Sequence, residues 1–131
     1  AVSLINENAK TNEVIAISSG SYSYNLLNYL TKNLEIYAVP ENFKVRGATF
    51  SQVYDSIKPA NYSNSCNILN LIDKDIMGIW FVYPNPNSFD NQNLVKQCLD
   101  SKLEFVDSFE SSYTNSKGEK ISDLIIYHYS K

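Results

Sequence analysis

"EVIAISSGSYSYNLLNYLTKN", residues 13–33, runs straight into "LEIYAVP", residues 34–40, and the reading of this join decides the fold. "EVIAIS" is an almost continuous apolar run of strand length, the pattern of a strand covered on both faces in a parallel sheet. After the Ser/Gly/Tyr turn, Tyr22, Leu26, Leu27 and Leu30 recur at helical spacing, with Asn33 as the stop. "LEIYAVP" is a second short strand closed by Pro40. Strand, helix and strand in this order form a βαβ unit, whose crossover is expected to be right-handed.

Upstream, "VSLINENAK" places Val2, Ile5 and Ala9 on one helical face. The chain opens on Ala1 with this helix already under way, and the expectation is a piece of a longer protein. Downstream, "ENFKVRGA" reads as a loop and "TFSQVYDSI" as a helix with Thr49 as N-cap and Phe50, Val53 and Ile57 in phase. "PANYSNSCN" is a polar connection and "ILNLIDK" another helical turn or two. "DIMGIWFVYPNPN" is the most apolar run of the chain, a central strand over residues 76–83. "SFDNQNLVKQCLDSKL" reads as a helix with Ser88 as N-cap, Asp90 in its first turn, and Phe89, Leu94, Cys98 and Leu99 facing the core. "LEFVDSFES" alternates as a half-buried strand does, and "SDLIIYHYSK" closes the chain as another. The turn residues "YTNSKGEK" between them make the last two strands an antiparallel hairpin. The fold expected is one α/β domain over residues 1–131. It is a three-layer Rossmann-like sandwich with a mostly parallel sheet of about five strands and a C-terminal antiparallel hairpin.

With 131 residues, a chain buries roughly two-thirds of its unfolded surface, enough for one core without staples. Hydrophobic residues make up 44% and charged ones 19%, which excludes intrinsic disorder and membrane embedding for these residues. Ten Tyr and many Asn and Ser stand against only four Gly, so polarity comes from amides and hydroxyls rather than charge. Net charge is −3 and the Lys and Arg residues are scattered, so no stripe neutralises a run of phosphates. Nucleic acid is not an expected partner, and no polybasic segment holds the chain on an anionic bilayer. No run reaches the roughly 18–20 apolar residues of a membrane span.

Several groups are candidates for chemistry. Loops at the carboxyl ends of parallel strands are the usual ligand crevice, and helix N-termini offer N–H groups to anions. Ser19, Gly20, Ser21, Tyr22, Tyr24 and Asn25 in the "SSGSYSYN" turn are therefore the candidate ligand contacts. Gly20 is the only glycine there and no GK[ST] follows, so neither a dinucleotide fingerprint nor a P-loop is present. The plain alternative is a βα turn with serine capping. His128 is the only histidine, which rules out multi-histidine metal sites. It points opposite to Tyr127 and Tyr129 along its strand, in a structural or surface role. Asp73, Asp75, Asp100, Glu104, Asp107 and Glu110 read as solvated acids, and neither a metal nor a cofactor is expected. Cys66 and Cys98 are too few and too far apart for a zinc knuckle or a CxxC motif. They are buried free thiols or, in an oxidising compartment, a disulfide. "NYS" at Asn61 matches the N-glycosylation sequon, a short pattern that also arises by chance in an Asn/Ser-rich chain.

"INENAKTNEVIAI", "NYLTKNLEIYAVPENF", "DKDIMGIWFVYPNPN" and "LEFVDSFES…DLIIYHYSK" occur in an order and spacing that carry a resemblance. Together they resemble the C-terminal soluble domain of polytopic membrane glycosyltransferases of the dolichyl-phosphate-mannose protein mannosyltransferase type. The chain departs from that pattern in the long "KVRGATFSQ…NYSNSCN" middle and in the hairpin loop at 113–120. The resemblance implies a parent enzyme that takes a sugar from a polyprenyl-phosphate donor and transfers it outside the cytoplasm. It implies a catalytic Asp in a loop near the first membrane spans, so no residue here inherits the catalytic role. On this reading the chain is an accessory domain on the extracytoplasmic face. Its partners are the membrane-embedded part of the same polypeptide and a glycan or protein acceptor, and the setting adds weight to a Cys66–Cys98 disulfide without displacing the reading of two free thiols. The alternative is a free-standing small nucleotide- or S-adenosylmethionine-binding domain. Against it stand the missing glycine-rich loop and the second strand's ending in "YAVP", with no acid to grip a ribose.

Overall fold

A computed structural model describes residues 2–18, 28–85 and 87–131. At its centre lie β1 (Glu13–Ile17) and β4 (Gly78–Pro84), paired in parallel, with every residue of both strands buried. Both faces are covered, so an apolar side chain is favoured at every position rather than at every second one. Ile15, Ile17, Trp80 and Val82 point to one face, where helix α1 (Val2–Asn8) contributes Ile5 and helix α2 (Phe50–Asp55) contributes Val53. Val14, Ala16, Ile79 and Phe81 point to the other. There they meet Ile68 of a 3-10 helix (Ser65–Leu71) and Val95 and Leu99 of helix α3 (Leu94–Lys102).

The sheet is mixed, not mostly parallel. Its six strands run β3-β2-β1-β4-β6-β5, with β2 at Ile36–Ala38, β3 at Phe43–Lys44, β5 at Glu104–Thr114 and β6 at Lys120–Ser130. Only β1–β2 and β1–β4 are parallel pairs; β2–β3, β4–β6 and β5–β6 are antiparallel. The expected three-layer Rossmann-like sandwich is thus corrected to an α/β fold on a mixed sheet. Two features account for the difference. The segment read as a loop after Pro40 turns back at Asn42, whose φ of 57° is a left-handed conformation asparagine tolerates, and pairs as β3. At the other side β6 inserts between β4 and β5 and pairs antiparallel with both. A parallel neighbour needs a long crossover, whereas an antiparallel one needs only a turn.

The helices are short, and local chemistry sets their ends. Thr49 closes a capping box on α2: its Oγ1 accepts from the Gln52 N–H at 3.2 Å while Gln52 Oε1 accepts from the Thr49 N–H at 2.9 Å. Helix α3 does not begin at Ser88. The Asp90 carboxylate accepts from the backbone N–H groups of Leu94 at 2.7 Å and Val95 at 3.1 Å, so an acid outside the helix satisfies its first donors. Asn87 orders the approach by accepting from the N–H groups of Phe89 and Asp90. Asn28 and Tyr29 are helical and residues 30–33 are not, so the expected helix ends short of Asn33; its residues 22–27 lie outside the described residues.

Candidate functional site

The two ends of the sheet differ. At the carboxyl ends of β1 and β4, buried Ser18 accepts a hydrogen bond on Oγ from Asn87 Nδ2 at 2.8 Å, and the Tyr83 hydroxyl donates to the Asp90 carbonyl at 2.6 Å. Burial, with Asp90 and Tyr127 nearby, pushes the Tyr83 phenol above its ordinary value. The candidate ligand contacts Ser19, Gly20, Ser21, Tyr22, Tyr24 and Asn25 lie outside the described residues.

At the amino end stands a polar cluster that motif reading missed. Glu13, the first residue of β1, is in phase with Ile15 and Ile17 and only 5% exposed. Its Oε1 accepts from the Lys10 N–H at 2.7 Å and from Trp80 Nε1 at 3.1 Å, and its Oε2 lies 2.5 Å from His128 Nε2. The register explains the meeting: Glu13 pairs with Gly78 on β4, and Trp80, two residues further along β4, pairs with His128 on β6. The carboxylate crosses above Gly78, where an added Cβ would stand 2.5 Å from Glu13 Oε2 and 2.9 Å from the Tyr129 carbonyl. Only glycine leaves that space. His128 stacks on Trp80 with centroids 3.9 Å apart and planes 10° from parallel, which fixes the imidazole.

Burial alone would raise the Glu13 carboxyl. The hydrogen bonds from His128, Lys10 and Trp80 outweigh it and hold the group below its ordinary value. Glu13 is therefore an ionised acceptor, to which His128 Nε2 donates. A depression of about 430 Å³ opens over this cluster, lined among others by Asn12, Met77, Val106, His128 and Ser130. Nucleophilic catalysis would need a hydroxyl hydrogen-bonded to the imidazole. Among the described residues no such bond joins Ser130 to His128. The cluster is built as a clamp: each carboxylate oxygen is already taken.

On the opposite face Cys66 of the 3-10 helix and Cys98 of α3 are joined by a disulfide, with Cα atoms 5.4 Å apart. Cys66 is exposed, which corrects the reading of two buried thiols. Nearby, the Tyr129 hydroxyl donates to Asp100, which also pairs with Lys96 at 2.7 Å, and the Lys96 ammonium lies 4.9 Å from the Tyr127 ring centroid. Burial and the Asp100 hydrogen bond push the Tyr129 phenol far above its usual value. The six acids read as solvated are all exposed, and among the described residues no group of His, Cys, Asp or Glu is arranged to hold a metal. Among them, too, no helix is long and apolar enough to cross a membrane. Asn61 lies on an exposed turn just before the 3-10 helix.

No protein-family model, curated protein or solved structure matches the chain.

Proposed function

We infer that this chain is a non-catalytic, extracytoplasmic domain of a membrane-bound glycosyltransferase whose membrane part transfers a sugar from a polyprenyl-phosphate donor. The observation that carries the reading is the Cys66–Cys98 bridge, with Cys66 open to solvent. An exposed thiol pair in bonding geometry stays oxidised outside the reducing cytosol. The resemblance of residues 5–17, 28–43, 73–87 and the closing hairpin to that family supplies the class. The Glu13 carboxylate, whose two oxygens accept from Lys10, Trp80 and His128, supports a structural role. In this role the domain packs against the membrane part of its own polypeptide and shapes the route of a glycan or protein acceptor.

Two measurements test the reading. Alkylation of the protein in intact cells, followed by mass spectrometry, is expected to leave Cys66 and Cys98 unlabelled until a reductant is added. Ligand-detected NMR against sugars, sugar phosphates, nucleotides and S-adenosylmethionine is expected to show no nucleotide or S-adenosylmethionine binding. Free thiols in the cell, or a nucleotide response lost on Gly20→Ala, would replace this reading with a free-standing binding domain.

A further inference from the structure

The turn that leads into the disulfide-bearing 3-10 helix presents Asn61, Tyr62 and Ser63, all exposed, with Tyr62 at 84%. The Asn61 side-chain oxygen accepts three hydrogen bonds: from the Ser63 N–H at 2.9 Å, the Ser63 hydroxyl at 2.6 Å and the Asn64 N–H at 3.0 Å. Three donors on one carbonyl oxygen fix the amide plane. Its nitrogen, Nδ2, makes no hydrogen bond to any described residue. The neighbouring Asn64 is the opposite case, because its Nδ2 donates to the Pro59 carbonyl at 3.0 Å. Two residues after Asn64 comes Cys66, whose sulfur is consumed in the bridge. Of the two asparagines in this turn, only Asn61 combines a free amide nitrogen with a hydroxyl two residues on.

We propose that Asn61 is an N-glycosylation site, its Nδ2 receiving an oligosaccharide from a polyprenyl-pyrophosphate-linked donor. In the transfer a bond forms between Nδ2 and C1 of the first sugar as the C1–O bond to the pyrophosphate breaks. The lipid pyrophosphate leaves with the electron pair, and one amide proton passes to a base of the transferring enzyme. The surface has room for the product: a shallow depression of about 220 Å³ beside Asn61 is lined by Tyr62, Asn91 and Gln92, whose amides suit sugar hydroxyls. The proposal rests on the extracytoplasmic reading above, since lipid-linked oligosaccharide is transferred on that side of the membrane.

The test uses the full-length protein isolated from its own host, digested and analysed by mass spectrometry for glycopeptides, with the alkylation state of the cysteines read from the same sample. The peptide holding Asn61 is expected to carry a glycan mass. That mass is expected to vanish in Asn61→Gln and Ser63→Ala, to persist in Ser63→Thr, and to be unaffected by Asn64→Gln. An unmodified Asn61 beside an intact Cys66–Cys98 bridge would overturn glycosylation and leave the compartment standing. An unmodified Asn61 beside free thiols would overturn both. A glycan that survives Ser63→Ala would place the modification elsewhere and sink the assignment to Asn61.

Discussion

On the face covered by α1 and α2, the core ends in Glu13, Trp80 and His128, which hold one another by hydrogen bonds and ring stacking alone. On the opposite face, a covalent bond ties the 3-10 helix to α3, and α3 is tied to β6 through Asp100 and Tyr129. The first face depends on shape and on the ionisation of Glu13; the second depends on redox state and on the ionised Asp100. Acid should loosen both, through Glu13 and through Asp100, whereas a reductant should loosen only the second. The same sheet therefore offers two ways of coming apart, and four experiments can separate or collapse them.

The largest effect is expected from Trp80→Ala. Trp80 is among the largest fully buried side chains, and truncating a buried tryptophan costs about 3–5 kcal/mol. Urea unfolding monitored by circular dichroism measures it; a loss below about 1 kcal/mol would mean the clamp face tolerates collapse. Next comes Cys66→Ser, which frees a loop of 32 residues and should cost about 2–4 kcal/mol. Dithiothreitol should reproduce that loss in the wild type and do nothing further to the variant. Equal urea midpoints with and without reductant would erase the contrast between the faces.

Glu13→Gln removes the charge but keeps the shape. It should cost about 1–3 kcal/mol at neutral pH, because the Trp80 and His128 donors lose an ionised acceptor in a buried site. Its pH dependence sharpens the contrast. The folded Glu13 carboxyl sits below its ordinary value of 4.5, so its contribution is fully present above that pH and fades as pH falls through the lower folded value. The wild type should lose stability there faster than the glutamine variant; parallel acid curves would show that the clamp carries no linkage. The smallest effect is expected from Thr49→Ala. Losing the capping box should cost about 1 kcal/mol, and reductant should not change the amount.

How much of this was legible follows from what each residue reports. β1 and β4 announce themselves because full burial on both faces leaves an unbroken apolar run, and α2 does so through Thr49 as its N-cap and Val53 facing the core, although Phe50, read in phase with it, is exposed. The closing hairpin shows in the turn residues between two strand-like stretches, although β5, read as alternating, is exposed along most of its length. Strand β3 was hidden, since two residues have no period, and its presence beside β2 is one reason the sheet is mixed. The start of α3 was misplaced because Ser88 is a good cap by type, while the working carboxylate is Asp90, which acts from outside the helix. Position relative to a helix end is a geometric fact that composition does not carry. The clamp was hidden for a different reason. Its members meet across three strands, and only the phase of Glu13 with Ile15 and Ile17 signalled an acid aimed at the core. The lone histidine was correctly set opposite Tyr127 and Tyr129, yet its partner depended on strand order.

Gly78 gives this geometry a consequence for inheritance. The absence of one methyl group there is what admits the Glu13 side chain, so position 13 depends on position 78 although the chain visits them far apart. A lineage that acquires any side chain at 78 must move the acid at 13 and also shift the strand carrying Tyr129, so losing the acid alone does not release 78. The constraint is one-sided: the acid can go while the glycine stays, but the glycine stays fixed after the acid has gone. Deep mutational scanning of the pair should show alanine at 78 only partly rescued by a smaller residue at 13.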